Sequence, residues 1–136
     1  MPSIITVATR GKSLTDITNA VKEALAASHL QNGVVQLFIQ HTSASLIVQE
    51  NADPDVRRDL IDHFDRLAPE GGDYAHSAEG PDDMPAHIKT ALTATSLAIP
   101  VANGALMLGI WQGIYVFEHR RAGHQRRVVV SFLKEA

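Results

Sequence analysis

The stretch Leu97-Ala-Ile-Pro-Val-Ala-Asn-Gly-Ala-Leu-Met-Leu-Gly-Ile110 decides the fold class. Two apolar runs, Leu97–Val101 and Ala105–Ile110, flank Asn103-Gly104. Asn-Gly supplies the two consecutive positive-φ residues that a tight hairpin turn needs, so these runs predict a β-hairpin. Downstream, Gly113–His119 and Arg127–Leu133 flank a second turn at Ala122-Gly123 and predict another pair of strands. Val128-Val-Val130 reads as a strand buried on both faces.

Working back, helical and extended patterns alternate irregularly. Ser3–Ala8 is a short β-branched run. Ser13, with Asp16 three residues on, reads as a helix cap, and Leu14, Ile17, Val21 and Leu25 recur at helical spacing. Gln31-Asn-Gly33 is a turn signal. Strands follow at Val34–His41 and Ala44–Gln49. Asp53-Pro54 predicts a helix entry, with aspartate at the cap and proline in the first turn. Val56, Leu60, Ile61, Phe64 and Leu67 form that helix's apolar face, and Pro69 stops it. A third helix is predicted from Asp83 or Met84 to about Thr95, with Ile88, Ala91 and Leu92 toward the core. Without a regular βαβ rhythm, the pattern predicts an α+β fold: one compact domain over residues 1–136, with a mixed or antiparallel sheet and about three helices.

The 136 residues are 45% hydrophobic and 20% charged, which suits one globular domain. A net charge of −3 leaves no basic footprint, so no nucleic-acid or membrane partner is expected. No apolar run is long enough to span a bilayer. Residues 1–10 lack the pattern of a signal peptide, which points to a cytoplasmic protein. Cysteine is absent, so thiolate metal sites and cysteine nucleophiles are excluded. No GxSxG elbow, P-loop or GxGxxG is present.

The chemistry-bearing residues are scattered. His41 ends a strand. His76 lies in the acidic, turn-rich segment Tyr74–His87, and His87 opens the third helix. Histidines are the usual zinc donors when cysteine is missing, although the His76-to-His87 spacing matches no local zinc motif. On spacing alone the better reading is polar residues of a surface loop. Glu118, in the apolar Tyr115-Val-Phe-Glu118, needs a partner: arginine, metal or substrate. Arg120, Arg121, Arg126 and Arg127, brought together by the predicted hairpin, form either an anion site or a solvated strand end. Glu50-Asn51 stands where a strand meets a helix N-terminus, which favours anions. Trp111 reads as packing at a strand turn, with Gln112 as a polar contact. Asp82 and Asp83 read as helix-start residues suited to the helix dipole.

Three groups of residues together carry a resemblance. The first is His41-Thr-Ser-Ala-Ser-Leu with Gln49-Glu-Asn-Ala-Asp-Pro54. The second is His76-Ser-Ala-Glu79 with Met84-Pro-Ala-His-Ile-Lys89. The third is Gly109-Ile-Trp-Gln-Gly-Ile-Tyr115 with Glu118-His-Arg120. In this order, over about residues 5 to 133, they resemble the YjbQ-like family, also called the secondary thiamine-phosphate synthase family. The resemblance implies a compact α+β homotrimer with a secondary thiamine-phosphate synthase activity. That reaction joins hydroxymethylpyrimidine pyrophosphate to thiazole phosphate and releases pyrophosphate. It implies a divalent metal, zinc or magnesium, on His41, His76 and His87, with His41, Glu50 and Glu118 in catalytic roles. Thr42, Asn51, Gln112, Arg120 and Arg127 would bind a small phosphorylated substrate. Where the family usually has Gly-Thr-Trp-Gln, this chain has Ile110. A binding protein for a phosphorylated ligand, with little turnover, is the alternative.

Overall fold

The computed structural model describes residues 2–136. Eight strands and three helices follow one another as β1 (Ser3–Ala8), β2 (Ser13–Asp16), α1 (Thr18–Ser28), β3 (Gly33–Ile39), β4 (Ala44–Glu50), α2 (Pro54–Leu67), α3 (Asp83–Leu92), β5 (Ser96–Ala102), β6 (Ala105–Leu106), β7 (Gln112–Glu118) and β8 (Gln125–Lys134). They build two antiparallel sheets. The larger has the order β1-β8-β3-β5-β6 and the smaller β2-β7-β4.

Alternation along the strands explains how the sheets meet. Val35, Leu37 and Ile39 of β3, Ile99 and Val101 of β5, and Val128 and Val130 of β8 point inward from the larger sheet. Ala44 and Leu46 of β4 and Ile114 and Val116 of β7 meet them from the smaller one, and α1 adds Val21 and Leu25. Each fully buried valine, leucine or isoleucine contributes about 1.5–3 kcal/mol. The other face of the smaller sheet carries Tyr115 and Phe117. There α2 packs, with Phe64 edge-on to Phe117 at 5.4 Å between ring centroids. α3 joins it on β4, where Thr93 Oγ1 bonds Ser45 Oγ at 2.6 Å.

The Asn103-Gly104 turn is present, with φ of 51° and 76°, the left-handed values expected of a two-residue hairpin. β6 ends at Leu106 rather than Ile110. Met107 N–H donates to Pro100 O at 2.9 Å, but proline has no N–H to return, so the ladder frays there. Asp53 caps α2 by accepting from Asp55 N–H at 2.9 Å, with Pro54 in the first turn.

Five expectations are corrected. The predicted helix start at Ser13 is β2, because Ser13–Asp16 pairs with Tyr115–Glu118; the helix begins at Thr18, where Asp16 Oδ1 accepts from the Thr18 N–H. The strands either side of Ala122-Gly123 form no hairpin, since β7 and β8 belong to different sheets. That connection crosses the sandwich, and Val129 turns to the outward face while Val128 and Val130 are buried. α3 stops at Leu92 and buries Asp83, Pro85, Ala86, Lys89 and Thr90, leaving Leu92 exposed. Trp111 is 60% exposed instead of packed. Among the described residues, no helix is long and apolar enough to cross a membrane.

Candidate functional site

The site lies where β4 begins and β7 ends. Alternation places Glu118 on the inward face of β7, in register with Ala44, and Arg126 on the inward face of β8. The two close one end of the core across the sheets. Arg126 Nε donates to Glu118 Oε1 at 2.8 Å and Nη2 to Oε2 at 2.5 Å. Thr9 Oγ1 adds a third bond at 2.6 Å, and the N–H groups of His119 and Arg120 reach Oε2 at 3.1 and 3.2 Å. The Thr9 hydroxyl reaches in because two loops touch: a Cβ on Gly123 would lie 2.2 Å from Thr9 O. Burial raises the Glu118 pKa, but the Arg126 pairing and these donors outweigh it and hold the carboxyl below its ordinary range. With no surface exposed and both oxygens engaged, Glu118 positions Arg126 and offers no oxygen to a substrate.

At the start of α3, Asp83 is the hub. Its Oδ1 takes Arg120 Nη1 at 2.9 Å. Its Oδ2 faces two imidazole nitrogens, His76 Nε2 at 2.6 Å and His87 Nε2 at 3.0 Å. The i, i+4 spacing of Asp83 and His87 stacks them on one helix face. The Arg120 guanidinium also holds Asp82 Oδ2 at 2.9 Å and the Glu79 carbonyl at 3.0 Å, which ties the 79–83 segment down. Against burial, that arginine draws Asp82 down to about 2. Burial likewise raises Asp83, but the His76 bond outweighs it and leaves Asp83 below the usual range.

The proton count at this hub is informative. His87 Nδ1 lies 2.8 Å from Thr42 O, a carbonyl that only accepts, so Nδ1 carries the proton. A neutral His87 ring would then present its lone pair at Nε2 to the carboxylate oxygen. That contact is stable only with a proton or a cation between them. His76, Asp83 and His87 offer donor atoms that all lie within 4.8 Å of one another. A carbonyl fixing the far nitrogen of a histidine is the usual outer support of a metal ligand. Two imidazoles and a carboxylate suit zinc, and the all-oxygen preference of magnesium argues against that ion.

The predicted residues separate into three places. His76 and His87 converge, with Asp83 as their third group. His41 does not join them. Its Nε2 accepts the Arg127 N–H at 2.8 Å, beside Arg126. It remains a near neighbour, because Thr42, the next residue, holds His87. Arg120 is consumed by Asp82 and Asp83, so a role in binding phosphate is corrected to a structural one. The Arg127 side chain is exposed, with no ion pair among the described residues.

Glu50, Asn51 and Gln112 lie elsewhere. β4 pairs with β7 from Ala44↔Glu118 to Glu50↔Gln112. Six residue steps between those ends, at about 3.4 Å each, separate them by ~20 Å within one chain. Glu50 Oε2 accepts the N–H groups of Ala52 and Asp53, both at 2.7 Å, and shapes the entry to α2. Asn51 Nδ2 donates to the carbonyls of Ile110 and Gln112. Gln112 Oε1 accepts from Gly109 N–H at 2.7 Å. Asn51 and Gln112 thus order the loop before β7.

Sequence reasoning missed Asp83 as a partner of the histidines, although its i, i+4 pairing with His87 was a signal. Arg126 was read only as one of four clustered arginines; the carboxylate of Glu118 in an apolar strand called for an arginine, but which one follows only from β8 lying in the other sheet.

The family model described as UPF0047 protein YjbQ-like matches residues 3–135. The chain is similar to UPF0047 protein sll1880 of Synechocystis, 52% identical over 93% of this chain and 87% of that protein. It is 41% identical to UPF0047 protein YjbQ of Escherichia coli O157:H7, over 96% of each. A crystal structure from Clostridium acetobutylicum, described as an uncharacterized conserved protein of the YjbQ/UPF0047 family, superposes with a TM-score of 0.90. It is 39% identical, with 96% of this chain and 99% of that one covered.

Proposed function

The chain belongs to the UPF0047, YjbQ-like family, and on that premise we propose a zinc-dependent enzyme of secondary thiamine-phosphate synthase type. It would join hydroxymethylpyrimidine pyrophosphate to thiazole phosphate at low turnover. One observation carries the metal reading: His87 Nε2 and His76 Nε2 converge on the same Asp83 oxygen, at 3.0 and 2.6 Å. A bound divalent cation would supply positive charge for a departing pyrophosphate. The chain's own residues do the rest. His76, Asp83 and His87 hold the cation, Thr42 O fixes the His87 tautomer, and Arg120 keeps Asp83 ionised and aimed.

A binding protein with little turnover is the second reading, and a specific observation favours it. Glu118 has no free oxygen, and Glu50 lies at the far end of the sheet, so neither carboxylate expected as a base stands beside the histidines. The two readings separate on thiamine phosphate formed from the two substrates by wild type, chelator-treated and His87→Ala protein. Product above background only in metal-loaded wild type supports the enzyme. Equal background in all three refutes it.

The proposal includes a homotrimer, which the resemblance implies. Its support is the outward face of the larger sheet, where Ile4, Phe38 and Leu133 are 47%, 49% and 58% exposed and Val129 lies in register with both Ile4 and Phe38. Clustered exposed apolar residues mark contact surfaces more often than scattered ones do.

A further inference from the structure

The end of the core beside the histidine–aspartate hub contains hydrogen-bond donors that face one another. Arg126 spends Nε and Nη2 on Glu118, and Nη2 also reaches Ser43 Oγ at 3.0 Å. That leaves Nη1, which points at His41 Nδ1, 3.4 Å away. The contact is not a hydrogen bond between them. His41 Nε2 accepts the Arg127 N–H at 2.8 Å, so in a neutral ring the single proton sits on Nδ1. Burial, then Arg126, pushes the His41 pKa down, which keeps the ring neutral. Two N–H donors therefore meet head to head, one of them on a guanidinium only 4% exposed, with no protein acceptor for either among the described residues. Ser43 Oγ, already accepting from Arg126, has its own proton to give. A buried donor without an acceptor is costly, about 1–3 kcal/mol.

We propose that His41 Nδ1–H, Arg126 Nη1–H and Ser43 Oγ–H form an oxyanion site that takes the phosphate of a small phosphorylated ligand. Glu118 holds the guanidinium side-on, so Nη1 is presented without freedom to turn away. His41 is half-exposed and gives the site its opening to solvent. Two arginines, Arg126 and then Arg127, act on His41 against the one carboxylate of Glu118, which is itself occupied by Arg126. The residues 41–43 also join this site to the metal-ligating set: His41 and Ser43 face the anion, and Thr42 O holds His87. This assignment moves His41 from metal ligand to anion donor. It deepens the proposed function, because it names the group through which the substrate is held, but it does not depend on the metal.

The test uses the full chain treated with chelator and titrated with inorganic phosphate at constant ionic strength. Nitrogen-edited NMR follows the His41 ring and the Arg126 guanidinium, with the Gln112 side-chain amide as a distant control. Saturable shifts of His41 and Arg126, with Gln112 unmoved, are expected. Ser43→Ala and His41→Phe should each weaken binding by about tenfold, the equivalent of one charge-assisted hydrogen bond. Wild type showing no saturable response overturns the inference, as does binding that appears only after zinc is added back, because the phosphate then sits on the metal. Binding that persists in a protein shown to take up no metal upholds this site while refuting the metal reading.

Discussion

His119 should make folding stability fall as pH drops below neutrality, by an amount the structure sets. The ring is 1% exposed on the helix-covered face of the smaller sheet, tilted against Phe117 at 4.3 Å between centroids. Nε2 bonds Ser45 Oγ at 2.9 Å, and Nδ1 has no partner among the described residues. Burial, then the nearby Lys89 and Arg126 cations, pushes its pKa from 6.5 to about 3, with Asp65 opposing them. Between those values the unfolded chain binds a proton that the folded chain refuses, so stability rises with pH and this contribution is complete only above 6.5. Between about pH 7 and about pH 5.5 the loss from this one group is RT ln((1 + 10)/(1 + 0.3)), or ~1.3 kcal/mol. His119→Met keeps an adaptable apolar filler there and removes the titration. Urea unfolding at about pH 7 and about pH 5.5 should show wild type losing ~1.3 kcal/mol more than the variant. Parallel losses would refute the neutral, buried assignment of His119.

Three other perturbations follow from the same geometry. Glu118→Gln leaves the Arg126 charge buried without its partner and should cost about 3–5 kcal/mol in urea unfolding, whereas a substrate-contacting base on the surface would cost almost nothing. Asp53→Ala removes the α2 cap and should cost about 1 kcal/mol, read as a shift in urea midpoint with an unchanged slope. Phe38→Asp puts a charge on the outward face of the larger sheet; sedimentation should report wild type as a trimer and the variant as single chains, and a monomeric wild type would refute the assembly.

What was legible in the sequence depends on how local its cause is. Asn103-Gly104 and Asp53-Pro54 act within a few residues, through left-handed φ values and a cap, and both features stand where the pattern placed them. Ser13–Asp16 misled because its extended form comes from pairing with Tyr115–Glu118, about a hundred residues away, and local helix signals cannot report that. The arginine pairs were read as one strand end because a turn between two apolar runs implies a hairpin; the turn instead crosses between sheets, which buries Arg126 on Glu118 and sends Arg120 to Asp82 and Asp83. The sequence reading grouped His41, His76 and His87, and the structure brings only His76 and His87 together, on Asp83. Their third partner was hidden in plain view, since an aspartate at a helix start has an adequate electrostatic reason to be there. Glu50 and Gln112 were grouped with the histidines through the resemblance, and a seven-residue strand holds them at its opposite end.

The central claim is that His76, Asp83 and His87 bind a divalent cation and His41 does not. Zinc uptake by chelator-stripped protein, measured by calorimetric titration and elemental analysis, tests it most directly. Wild type and His41→Phe should each take up one zinc per chain with similar affinity. Asp83→Asn should weaken uptake strongly, and the double variant His76→Ala, His87→Ala should abolish it. Uptake lost in His41→Phe, or equally absent from wild type and the double variant, would contradict the account.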